Sequence, residues 1–79
     1  MQHEKNKLLI GLLLEDQLRI SRLANTELLT LSFPKILSVE DIYNIITKEL
    51  EGNYEILHYQ EVHISQATPV ILFTLKSIS

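Results

Sequence analysis

The chain predicts an α+β domain, a mainly antiparallel sheet in the order β-β-β-α-β-β with one amphipathic helix packed across a face. Three observations point there. Leu, Ile and Val supply 28 of 79 residues, far above the roughly 20% below which a strongly charged chain stays disordered. A capped stripe of helical period lies between Ser38 and Gly52. Apolar segments bounded by turn residues stand on both sides of it. The whole chain, 1–79, reads as a single domain whose first six residues are polar and expected to fray.

Residues 8–14 are apolar throughout, so periodicity does not separate a buried strand from a buried helix. Glu15-Asp16 and Ala24-Asn25-Thr26 supply turn-like breaks, which favours strands near 7–14, 17–23 and 27–33, the last closed by Phe33-Pro34. The alternative is an N-terminal helix from about Glu4 to Ala24 replacing the first two strands, giving α-β-α-β-β. It places Gly11 in a helix interior, at a cost of about 1 kcal/mol relative to Ala. It also mixes charged and apolar residues around most of the wheel.

The central helix is better defined. Ser38 with Asp41 three positions on fits a capping pair. Val39, Ile42, Tyr43, Ile46 and Leu50 then form one stripe, which reads Tyr43 as a core residue. Gly52 stands where a left-handed C′ residue is wanted. Residues 54–64 and 69–78 follow as a hairpin joined by Ser65-Gln66-Ala67-Thr68. In the first strand Tyr54, Ile56, Val62 and Ile64 share the core parity, and Glu55, Leu57, Tyr59, Glu61 and His63 share the other. Residues 70–75 are apolar on both parities, as in a central strand covered on two sides.

Composition narrows the chemistry. With no cysteine there is no disulfide framework, thiolate metal site or thiol nucleophile. Gly11 and Gly52 stand too far apart for a phosphate-cradling loop, and no Gly-x-Ser-x-Gly elbow exists. No cofactor and no metal are expected, and an enzyme is the less favoured reading. Lys and Arg number seven against ten acids, for a net charge of −3, and they are scattered singly. Nucleic-acid binding through Arg19, Arg22 and Lys35 is therefore the least favoured reading. No apolar run approaches the roughly 20 residues of a membrane span. Glu15, Asp16 and Gln17 follow the first run where a secretory cleavage site would need small residues. A cytoplasmic protein is expected.

Three groupings are candidates for function. Tyr59, Glu61 and His63 recur at i, i+2 and i+4 on one strand face, with Glu55 further along it. A carboxylate beside an imidazole makes a pH-sensitive contact or a general acid, though half-exposed strands ordinarily carry such residues. His58, five positions from His63, points to the opposite face and cannot share a metal with it. Tyr43, Tyr54 and Phe73 outline a small-molecule pocket between helix and sheet.

The strongest signal is an apolar surplus that one helix cannot cover. It marks Leu9, Leu13, Ile71 and Phe73 as an interface on one strand parity. The sequence thus reads first as a small interaction or regulatory module with a protein partner, self-associating through an apolar sheet face. A small-molecule binder or enzyme with that pocket is the alternative.

Overall fold

The computed structural model describes residues 2–24, 27–50, 52–63, 66 and 68–78, with the side chains of 4–21 in the first helix. It is an α+β fold of two helices and a three-stranded antiparallel sheet. In chain order the elements are α1 (Gln2–Ala24), β1 (Leu28–Pro34), α2 (Val39–Glu49), β2 (Tyr54–Val62) and β3 (Val70–Ser77). The class is the expected one, and the order is the alternative α-β-α-β-β. The strands expected at 7–14 and 17–23 are replaced by α1, and the start expected to fray carries its first turns from Gln2 onward.

Helix wins at the N-terminus for identifiable reasons. Leu is a strong helix former, and Ile10 is the one β-branched residue among residues 8–14. Ile10, Leu14 and Leu18, spaced i, i+4 and i+8, are all buried. Burying such side chains stabilises by about 1.5–3 kcal/mol each, which outweighs the cost of Gly11. Asp16 marks no turn. It accepts from the Arg19 guanidinium one turn on, at 2.5 Å on the exposed surface.

The second helix begins as expected. Ser38, in extended conformation, caps it by accepting from the Asp41 N–H at 3.4 Å. Ile42 and Ile46 are fully buried, whereas Tyr43, expected in the core, is 46% exposed. The C-cap is Leu50, so Gly52 lies one residue beyond the expected C′ position. Its φ of +82° serves the turn closed by the Asn53 N–H donating to the Leu50 carbonyl at 3.0 Å.

β3 lies between β1 and β2 and is antiparallel to both. Leu29, Leu31 and Phe33 stand opposite Leu75, Phe73 and Ile71, and all six are buried. Both helices contribute to this same core, where the rings of Phe33 and Phe73 meet edge to face at 6.1 Å. β3 is central, as expected, but only its odd-numbered face is fully covered; Val70, Leu72 and Thr74 on the other are half-buried.

The parity expected for β2 holds only to its middle. A register shift between Ile56 and His58 makes Leu57 an extra residue, a β-bulge. Tyr54 and Ile56 lie on the covered face before it, and Tyr59 and Glu61, opposite Phe73 and Ile71, lie on that face after it. Val62 pairs with Val70 on the open face instead. In the expected hairpin connection, Ile64, Ser65 and Ala67 lie outside the described residues, and Gln66 has a positive φ of 65°.

One contact ties α1 to the sheet edge. The Gln17 side-chain amide donates to the Ser32 carbonyl at 2.9 Å and accepts from the Ser32 N–H at 2.8 Å. It therefore does for Ser32 what a neighbouring strand would. Two residues on, Pro34 has no N–H to offer. Together they blunt the β1 edge against pairing with another chain.

Two expectations follow. Leu14→Ala lowers unfolding free energy by about 2–5 kcal/mol in urea titration, whereas Ile36→Ala, at a side chain 80% exposed, changes it by less than about 0.5 kcal/mol. Gln17→Ala costs about 1 kcal/mol and speeds amide exchange at Ser32 more than at Leu31.

Candidate functional site

Glu61 and His63 meet at the rim of the covered face, and Tyr59 lies on the same face as Glu61. The bulge at Leu57 separates them from Glu55, which pairs with Lys76 on the open face. The Tyr59 ring stacks on that of buried Phe73, with centroids 5.2 Å apart and planes inclined by 28°. Glu61 is a bridge: one carboxylate oxygen takes the Lys35 ammonium at 2.9 Å and the other faces His63 Nε2 at 2.5 Å. Lys35 follows β1, so the pair links the ends of the two outer strands across β3. With both oxygens engaged, Glu61 is poorly placed as a general base and well placed as a clasp.

The Lys35 ammonium first, and His63 second, hold the Glu61 carboxyl below its ordinary value of 4.5. The sign follows from linkage. A carboxyl with a depressed folded pKa contributes its stabilisation above the ordinary value and loses it as pH falls through the folded one. Because Glu61 is exposed, solvent screens the pair and the effect on stability is small.

The expected pocket is not assembled. Tyr43 and Tyr54 share a shallow groove of about 300 Å³ with Ile56 and Leu75, but Phe73 lies in the core under the Tyr59 ring. The expected basic set is also dispersed. Arg19 is engaged by Asp16 and Lys35 by Glu61, and the Arg22 side chain lies outside the described residues. His58 stands on the open face opposite Thr74, away from the Glu61–His63 contact. Among the described residues no three His, Asp or Glu side chains converge on a metal-sized site, and no helix is long and apolar enough to cross a membrane.

The expected interface residues are divided as well. Ile71 and Phe73 are buried beneath the helices, so they present nothing to a partner. Leu9 and Leu13 lie on α1, Leu9 partly exposed and Leu13 packed against the core. Among the described residues, one exposed apolar surface is instead the outer side of α1, where Leu8 is 71% and Leu12 65% exposed; the sheet's open face, with Val62, Val70 and Leu72 half-buried, is another. Leu8, Gly11, Leu12 and Glu15 form one wall of an open groove of about 770 Å³, whose other side is Glu49, Leu50, Asn53 and Tyr54. Sequence reasoning missed this surface because it read α1 as strands; on a helical wheel residues 8, 12 and 15 share a face turned from 10, 14 and 18.

No family model, curated protein or solved structure matches the chain.

In a carbon-detected NMR titration the Glu61 carboxyl has its midpoint below 4.5. Lys35→Met moves it upward, and by more than His63→Gln does.

Proposed function

We propose that the chain is a small protein-protein interaction module whose docking element is the outer side of α1. The observation that carries this reading is the exposure of Leu8 and Leu12 on a helix that already has a separate buried stripe at Ile10, Leu14 and Leu18. A surface helix ordinarily carries one apolar stripe and a polar opposite face; one that is apolar on both sides is covered on both. Contiguous leucines on the outside of a water-facing helix mark an interaction surface.

The groove beside them supports the reading, since it gives an incoming segment a floor of Leu14, Leu18 and Leu50 as well as a wall. A regulatory role by occupying a protein partner fits such a module better than catalysis does. The best-organised polar cluster, Lys35, Glu61 and His63, is an exposed ion-pair clasp with both carboxylate oxygens engaged. A cytoplasmic setting belongs to the same proposal, supported by Ile10 and Leu14 being part of the folded core and by the acidic pair that follows them.

A photo-crosslinking side chain at position 12, in the native cell, tests this. The expected result is a discrete adduct, absent when the same group replaces Thr47 on the exposed side of α2. Equal, diffuse labelling from both positions overturns the reading.

A further inference from the structure

Resting on that reading, we infer that the occupant of the α1 surface is a second copy of this chain, packed with its own α1 antiparallel to the first. Residues Lys5, Leu8, Leu12 and Glu15 are all exposed and fall at successive spacings of three, four and three. That is the spacing of a helix-pairing seam. The stripe is apolar in its middle and carries opposite charges at its two ends.

Its charge order selects the direction. A parallel pair sets Lys5 beside Lys5 and Glu15 beside Glu15. An antiparallel pair centred near Ile10 sets Lys5 of each copy opposite Glu15 of the other and Leu8 opposite Leu12. The two apolar contacts and two charge pairs are then satisfied by one twofold axis, as an isologous interface requires. Arg19, the next residue on the stripe, is already neutralised within its own helix by Asp16 and adds no repulsion.

One further feature fits. Gly11 faces the same groove, and a Cβ built there meets nothing within 4 Å. A glycine in a helix interior is unfavourable on its own, and this one lets a second helix backbone come close beside the leucines.

The test is light scattering after size exclusion, from micromolar to submillimolar chain. The expected mass is twice 9.1 kDa. Leu8→Glu with Leu12→Glu yields a monomer whose circular dichroism and melting remain those of a folded chain, because both side chains lie outside the core. Lys5→Glu weakens the dimer by about tenfold as two attractive pairs become repulsive, and Glu15→Lys added to it restores assembly.

The native chain has no cysteine, so direction is read directly. Leu8→Cys chains mixed with Leu12→Cys chains form the mixed disulfide in preference to either like pair. A monomer at every concentration, or a dimer indifferent to both glutamates, overturns the inference. If a monomer is found while position 12 still cross-links to one other protein in the cell, the second copy is wrong and the interaction reading stands. If position 12 also labels nothing discrete, both fall.

Discussion

One constraint organises this molecule: a three-stranded sheet has two faces, and both helices are spent on the same one. Leu29, Leu31 and Phe33 on β1 meet Leu75, Phe73 and Ile71 on β3, and this six-residue floor is what α1 and α2 cover. The edge-to-face contact of Phe33 with Phe73 lies within it. Everything at the surface follows from how the rim of that floor is finished. Gln17 closes the β1 edge at Ser32, Lys35 reaches from the end of β1 to Glu61 on β2, and Tyr59 roofs the outer side of Phe73. Polar groups that look like a site in isolation are, in place, the fastenings of a one-sided core.

That arrangement explains which parts of the structure were legible. The helix at Ser38 is readable because its cap and its apolar spacing agree, although Tyr43 turns outward and Gly52 stands one residue past the C′ position. β1 and β3 are readable as strands because turn or proline residues bound them in the sequence. The N-terminal helix is not, because a run of leucines without polar interruption has no period to read. Its deciding evidence is tertiary: Ile10, Leu14 and Leu18 are buried in one cluster with residues of β1, α2 and β3. Glu15-Asp16, a turn-like pair in sequence, is equally at home on a helix surface.

The candidate site was half legible for a related reason. Glu61 and His63 meet, and Tyr59 shares the face of Glu61, since no register shift falls between Tyr59 and Glu61. Glu55 was added wrongly because the bulge at Leu57 inverts every face assignment across it, and nothing in the residues 54–62 announces a bulge. No glycine marks the position. In the sequence Lys35 stands 26 positions from the Glu61 it pairs with, because an ion pair between outer strands depends on β3 lying between them. That order is a property of topology and leaves no local trace.

The misread helix also moves the apolar surplus rather than removing it. As strands, residues 8–14 placed the excess on a sheet face; as a helix, they leave Ile10 and Leu14 in the core and put Leu8 and Leu12 outside. A chain of this length seldom nets more than about 3–5 kcal/mol from a single core, and leaving large leucines in water forgoes stabilisation that burial of the same residues would provide. Binding that covers them stabilises the native state by mass action, in proportion to the logarithm of partner concentration over Kd. For a second copy, that concentration is the protein's own. On the proposed dimer, folding and assembly would draw on one helix from two sides, its inner stripe fixing α1 on the sheet and its outer stripe coupling the stability of each chain to the abundance of the other.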